Sequence, residues 1–492
     1  MMKVELTLRK RWSGKFGAAL MFEGDKKPLG MEQGSFNRLV LAGAGFDGKY
    51  QECTVGVDAD KRRVIVAGLG KRGDFELERV RMAGAGVIKK ALELRAGELG
   101  VFLPGGNEIK GRLVDFVRAV VEGMLLSCYR FTKYRQPKPD EAKPPETVYL
   151  VFSTEEESRL VLPIVDETQR RVDAVYFVRN LVNEPAANKA PMKMAELAKG
   201  LALPGRIDVR VMDRSTLQEM GMNGILAVGQ GSHNPPCLVE LVYTPKVKSK
   251  GTVVFVGKGV CFDSGGLSLK NAQQMENMKD DMAGAATVLG VFKYLQSVDL
   301  PYKVIGLTPL VENMIGGGAQ KIGDVIRHYN GKTVEVANTD AEGRLILADA
   351  LAYGAKFKPV LMINIATLTG ACVVALGNEC SGVMGRDKES VARLIDLGRV
   401  EGEYFWELPL FERYRAHMKS EVADMKNIGK PMNAGTIIGG LFLSEFVPEG
   451  VNWIHIDIAG TAFTTESRGY YPAGATGVPL RTMIALLHSR WG

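Results

Sequence analysis

The chain has 492 residues, 46% hydrophobic and 24% charged, and its 63 basic against 56 acidic side chains leave a formal charge of +7. That much apolar material exceeds one core and calls for two or three domains, while no stretch approaches the ~20 apolar residues of a membrane span. The basic excess is mild and gathers into no Lys/Arg run dense enough for a nucleic-acid arm, so it reads as an aid to solubility, and nucleic acid is not the expected main partner.

The N-terminus, Met-Met-Lys-Val-Glu-Leu-Thr-Leu-Arg-Lys10, alternates like a first strand and carries no apolar signal core. Cys53, Cys128, Cys237, Cys261, Cys372 and Cys380 are scattered without a C-x-x-C pair, as reduced core thiols of a cytoplasmic protein would be. Up to about residue 165 short strands and helices mix: Arg63–Gly70 reads as a buried strand running into a Gly turn, and Val114–Ser127 as a helix. The segment 136–145, with four prolines and four charges, can be neither helix nor central strand and reads as an exposed loop. A strand over Thr147–Phe152 follows, then helical periodicity from Asp166 to about Leu181, ending near Asn183-Glu-Pro185 because the residue before a proline resists the helical region. These boundaries give an N-terminal α/β domain over 1–165, a connecting helix over 166–185 and a larger C-terminal domain over 186–492.

Beyond that helix, short β-branched runs at Thr252–Gly257, Lys303–Pro309, Val360–Ile365 and Trp453–Ile458 alternate with helical segments such as Asp281–Gln296 and Arg344–Tyr353. The fold class is therefore α/β, with a mostly parallel central sheet covered by helices on both faces. Ligands of such sheets bind outside the carboxyl ends of the strands. After Thr252–Gly257 comes Lys258-Gly-Val-Cys-Phe-Asp-Ser-Gly-Gly-Leu-Ser-Leu-Lys270; Met278-Lys-Asp-Asp-Met-Ala-Gly-Ala-Ala286 opens a helix; Asn338-Thr-Asp-Ala-Glu-Gly-Arg-Leu345 follows a strand at Lys332–Val336.

Asp263, Asp281, Asp340 and Glu342 gathered at one rim would repel one another unless cations intervened, and two divalent ions would neutralise their four charges. The five histidines form no H-E-x-x-H pair, which argues against a single-zinc protease site. An oxygen-rich set suits a carboxylate-bridged pair of manganese, magnesium or zinc ions, ~3.5–4 Å apart, able to activate a water between them. Each acid alone could equally be a helix cap or a solvated loop residue; the combination of three acidic segments on one sheet edge favours the metals. By residue type alone Lys258 reads as a salt-bridge partner, and Arg344 could pair with Asp340 or Glu342 one turn away.

At these residues the chain resembles the leucyl aminopeptidase (cytosolic aminopeptidase) family. Asn338–Leu345 matches that family's signature octapeptide without a substitution. Val256-Gly-Lys-Gly-Val260, Phe262-Asp-Ser-Gly-Gly266, Met278-Lys-Asp-Asp-Met282, Leu181-Val-Asn-Glu-Pro185, Asn364-Ile-Ala-Thr-Leu-Thr-Gly370 and Ala423-Asp-Met-Lys-Asn427 are similar in order and spacing. The likeness is strong over about 170–492; in the N-terminal third it rests on size and on Phe131-Thr-Lys-Tyr134.

The resemblance implies a dimetal aminopeptidase that removes single residues from free amino ends. Asp263 and Glu342 would bridge the ions, Lys258 and Asp281 complete one site, and Asp340 the other. Lys258 would ligate as the amine, a metal displacing its proton. A metal-bridging hydroxide would attack, Lys270 would stabilise the oxyanion, and Arg344 would hold a bicarbonate serving as base. Met278, Thr367, Gly370 and Ala459 correspond to the pocket for the departing side chain, an adaptable apolar slot suited to Leu or Met. Manganese is expected first and zinc second. A homohexamer is implied, with the N-terminal domain serving assembly and access. His455-x-Asp457 fits no ligand position and reads as structural. Cys261, Ala283 and Ile322 depart from the family's usual Thr, Gly and Pro, and Cys261 beside the site would be open to oxidation. Two rival functions are another two-metal hydrolase, such as a phosphoesterase, and an accessory DNA-binding role.

Overall fold

The computed structural model describes residues 2–32, 40–41, 46–57, 61–109, 112–136, 140–430 and 433–489. The chain divides into two compact units, one of residues 1–173 with 465–473, the other of 174–464 with 474–492.

The first unit holds a seven-stranded sheet of β1 (Lys3–Leu8), β2 (Phe16–Phe22), β3 (Val40–Leu41), β4 (Cys53–Val57), β5 (Arg63–Gly70), β6 (Glu98–Phe102) and β7 (Thr147–Phe152), in the order β1-β7-β6-β2-β5-β4-β3. Every pairing is parallel except those of β3 and β4 at one edge. Helices Leu77–Glu93 and Leu113–Ser127 lie in this unit, the second almost wholly buried. Of the proline-rich segment, 137–139 lie outside the described residues, and 140–145 form neither helix nor strand. The helix expected from Asp166 starts earlier, running Glu155–Asn183 with Pro163 inside it. Its start is a reciprocal cap: the Glu157 N–H donates to the Thr154 hydroxyl at 3.2 Å, and the Thr154 N–H to the Glu157 carboxylate at 3.3 Å.

The second unit holds β8 (Ile207–Met212), β9 (Cys237–Tyr243), β10 (Thr252–Gly257), β11 (Gly259–Asp263), β12 (Lys303–Asn313), β13 (Val325–Arg327), β14 (Thr333–Glu335), β15 (Leu361–Ala366), β16 (Cys380–Gly385), β17 (Tyr404–Glu407), β18 (Met425–Lys426) and β19 (Trp453–Asp457). The main sheet runs β17-β16-β19-β15-β10-β12-β9-β8, with β11 paired to β12; β13, β14 and β18 form a small separate sheet. The central strands β12, β10, β15 and β19 are mutually parallel, and antiparallel pairing is confined to their flanks.

Successive side chains on a strand point to opposite faces. On one face Val254, Val256, Ile305 and Leu307 share a core with Ile346, Leu347 and Leu351 of helix Glu342–Gly354. On the other, Gly306 faces Val288 and Phe292 of helix Ala283–Leu295. Both helices are buried nearly all round, as helices apolar on every side must be. Their N-termini therefore meet the carboxyl ends of β10 and β15 at one place.

Candidate metal centre

β10 delivers Lys258, and β11 runs to Asp263 before a turn in which Gly265 and Gly266 have φ of +86° and +64°. A side chain at Gly265 would also meet the Ser268 carbonyl at 2.4 Å and the Asp340 carboxylate at 2.9 Å, so only glycine lets these segments close up. Gly343 acts likewise: its added Cβ would stand 2.8 Å from the Lys258 nitrogen. The turn is tied to the 338–342 loop through Thr339, whose hydroxyl donates to the Gly265 carbonyl at 2.6 Å and accepts the Ser268 N–H at 2.7 Å. Asn313, the last residue of β12, donates to Asp263 Oδ1 at 2.8 Å and to the Thr339 carbonyl at 3.0 Å. Asn427 braces the loop from behind, accepting the Ala337 N–H at 2.8 Å and donating to the Asn338 carbonyl at 2.7 Å.

The structure brings all five expected ligands and Lys270 together. Carboxylate oxygens of Asp263, Asp340 and Glu342 lie within 4.8 Å of one another. The buried Lys258 ammonium stands 2.7 Å from Asp281 Oδ1, 2.9 Å from Glu342 Oε1 and 2.9 Å from the Thr367 carbonyl. Lys270 pairs with Asp263 Oδ2 at 2.6 Å and with Asp340. Four carboxylates against two ammonium groups leave the cluster negative. Asp281 Oδ2 and Glu342 Oε2 are buried without any hydrogen-bond partner. Such orphaned anionic oxygens are costly in a protein interior, and divalent cations are what they fit.

The electrostatics agree. Burial, opposed by Lys258 and reinforced by Glu342, raises the Asp281 carboxyl well above its ordinary range. Burial and then Asp263 push up both Glu342 and Asp340. Burial works to lower the Lys258 amine, but Asp281, Glu342 and Asp263 outweigh it and raise the value. Without dications, Lys258 is thus the salt-bridge partner its residue type first suggested.

Arg344 makes no ion pair with Asp340 or Glu342. Its NH1 donates to the Asn427 carbonyl at 2.9 Å, its Nε is buried without a partner, and burial brings its pKa down to about 10. Thr367 follows β15, its hydroxyl donating to Asp281 Oδ1 at 2.7 Å. Gly370 opens helix Gly370–Leu376, Ala459 follows β19, and Met278 opens a one-turn helix three residues before Asp281. His455 faces Asn364: the Asn364 oxygen accepts the Trp453 indole N–H at 2.8 Å, so its amide nitrogen donates to His455 Nδ1 at 2.7 Å. Burial, then Arg344, takes that imidazole down to about 3, so it stays neutral. The expectation that Cys261 is open to oxidation is overturned: the thiol is fully buried and burial raises its pKa, so it presents no accessible thiolate. Asn313 went unrecognised in the sequence because an asparagine ending a strand carries no motif of its own.

Comparison with known proteins identifies the family. The model of the cytosol aminopeptidase family catalytic domain matches residues 176–484, and that of the family's N-terminal domain matches residues 32–138. A probable cytosol aminopeptidase of Geobacter sulfurreducens is 42% identical over 86% of this chain and 84% of its own. One from Sulfurihydrogenibium sp. is 37% identical over 99% of this chain and 98% of its own. Among solved structures, the bottromycin maturation enzyme BotP in complex with Mn is 34% identical, covers 96% of this chain and 99% of its own, and superposes with a TM-score of 0.83. The chain belongs to the cytosol aminopeptidase family and is a peptidase, a hydrolase of the metallo-aminopeptidase kind.

Proposed function

We propose that this protein is a two-metal leucyl aminopeptidase, cleaving Leu, Met and other apolar residues from free peptide amino ends in cytoplasmic peptide turnover. The observation that carries the reading is the cluster of Asp263, Asp281, Asp340, Glu342 and Lys258, with two buried carboxylate oxygens lacking partners. Asp263 and Glu342 would bridge the ions, Lys258 and Asp281 would complete one site and Asp340 the other. Manganese is the first expectation, since the donors are oxygens with a single amine and BotP is known in complex with Mn; zinc is the second.

Two ions held by these residues would supply Lewis-acid polarisation of a carbonyl and a more acidic water, and a bicarbonate held nearby would supply a base. The chain's own part is orientation and charge. With Asp263 and Asp340 engaged as ligands, the Lys270 ammonium that they now hold would be free to donate to the carbonyl oxygen as negative charge develops there. Arg344, with its buried unpartnered Nε, would hold the bicarbonate. Met278, Thr367, Gly370 and Ala459 would line the slot for the departing side chain. Membership in a peptidase family leaves the phosphoesterase reading without support. Among the described residues no helix is long and apolar enough to cross a membrane. Six copies would assemble, as the family likeness implies.

The test is release of free amino acid from Leu-peptides and their N-acetylated counterparts, with manganese or zinc added. Release only from free amino ends, abolished by a chelator and restored by either metal, is the expected outcome. Equal cleavage of the acetylated peptides, or activity untouched by the chelator, would overturn the reading.

A further inference from the structure

Asp457 ends β19 directly beside Ala366, the last residue of β15, and is 0% exposed. Its Oδ1 accepts the Leu368 N–H at 3.1 Å and the Ala459 N–H at 3.1 Å, and its Oδ2 accepts the Thr369 hydroxyl at 2.7 Å. One carboxylate thus joins the turn after β15 to the turn after β19. The Thr369 proton is committed to the carboxylate, so in its 2.9 Å contact with Thr436 the Thr369 oxygen accepts. It also accepts the Cys372 N–H at 3.1 Å, capping helix Gly370–Leu376. Thr436 brings in helix Gly435–Ser444 as a third element.

No cation pairs with Asp457 among the described residues. Burying a carboxylate on N–H and O–H donors alone is costly, and a neutral side chain could fill a purely structural position with less desolvation. What a carboxylate adds is the ability to accept several hydrogen bonds at once from separate segments. The two turns it joins carry Thr367, Gly370 and Ala459. Thr367 is already held on the metal side, its carbonyl by Lys258 and its hydroxyl by Asp281; Asp457 fixes the other flank.

We propose that Asp457 is a positioning residue that sets the width of the slot for the substrate's first side chain, by clamping the 367–370 turn to the 459 turn. This rests on the aminopeptidase reading above. The clamp acts on Leu368, Thr369 and Ala459, not on the carboxylates of the metal centre or on Lys270. Its loss therefore lets the slot walls separate while ion binding persists.

The experiment measures kcat and KM on Leu-, Ala- and Gly-anilides, with metal content, for the intact protein, Asp457→Asn and Thr369→Val. In Asp457→Asn the preference for Leu over Gly in kcat/KM should fall by about tenfold, the order of magnitude of a mis-sized apolar pocket. The fall should be carried by a raised KM for Leu at unchanged metal content. Thr369→Val keeps the volume and removes the donor to Asp457 together with the acceptor of the Cys372 and Thr436 bonds, so it should shift the preference the same way, and it keeps the test open if the Asn variant does not fold. An unchanged preference in the folded variants, or a loss uniform across the three substrates, makes Asp457 a structural residue only and overturns the proposal. A wild-type protein inactive on all three anilides removes the aminopeptidase reading, and this one with it. An active wild type with unmoved preference in the variants removes this one alone.

Discussion

Lys258 and Lys270 are both ammonium groups held between carboxylates, yet the proposed chemistry asks opposite things of them. Lys258 must lose its proton to ligate, whereas Lys270 must keep its proton to donate. Lys270→Ala should lower kcat by about 10²–10³ with KM little changed and metal content intact, because the interaction belongs to the transition state. Lys258→Ala should first lose metal. Activity assays paired with metal analysis check this; metal loss in the Lys270 variant with full occupancy in the Lys258 variant would exchange the two roles. Asp340→Asn and Glu342→Gln should each abolish turnover while leaving the fold largely intact, since an amide cannot neutralise a dication. Near-normal turnover with full metal content in either variant would remove the two-metal assignment. Because a metal at Lys258 must displace a proton, its apparent affinity should rise with pH, and calorimetry in buffers of different ionisation enthalpy should show proton release on binding. The acids and lysines were legible from the sequence through their crowding after strands and through the octapeptide around Asp340. Asn313 and Asp457 were less so, because they act through hydrogen bonds to segments 26 to 89 residues distant, which no local pattern announces.

Elements were read best where burial dictated their composition. The runs Thr252–Gly257 and Leu361–Ala366 are buried along nearly their whole length, and their β-branched character is the direct imprint of that burial. Local pattern says less where a breaker competes with a cap. The first part of helix Glu155–Asn183 holds the breaker Pro163, and yet Thr154 and Glu157 form its capping box. Before helix Ala283–Leu295, residues Met278–Asp280 make a separate single turn, and it is there, outside the regular helix, that Asp281 is presented. Helix Lys388–Glu401 offers a test of capping in this fold. Asp387 is exposed, accepts the Ser390 N–H at 3.0 Å, and is held below the ordinary carboxylate range by the Ser390 hydroxyl and then by that N–H. The stabilisation from a carboxylate so depressed is fully present above its unfolded pKa and is lost as pH falls through its folded one. Asp387→Ala should cost about 1 kcal/mol near neutrality. The gap in thermal midpoint between variant and wild type should narrow as the pH falls through the lowered Asp387 value. A gap that persists unchanged in acid would mean that the side chain stabilises the helix by something other than its charge.

At the scale of the whole molecule, the alternation of strand and helix was enough to give a mostly parallel sheet with its chemistry at the strand ends. The excursion of residues 465–473 into the first unit had no such signal. It leaves and returns through paired strands at Phe463–Thr464 and Gly474–Ala475, and Tyr470 donates to Glu78 at 2.9 Å, a partner 392 residues away. Only the assembled fold brings such residues together. Exposure also bears on the proposed assembly. β17 lies at the edge of the main sheet with Trp406 64% exposed; Val374 is 90% exposed and Val422 68%. An edge strand with a bare tryptophan is a liability for a lone subunit and a natural contact for a neighbour. Sedimentation or light scattering should therefore find a particle of about six chains, each of 53.6 kDa, as the likeness to the family implies. Trp406→Lys, which places a charge on that edge, should shift the protein toward smaller species if β17 contributes to the contact. Because the candidate ligands all lie within 174–464, the smaller species should still bind metal, so that any loss of activity would report on assembly and not on the ligands. A stable, fully active single chain under dilute conditions would rule the hexamer out and leave the exposed side chains of β17 without a role.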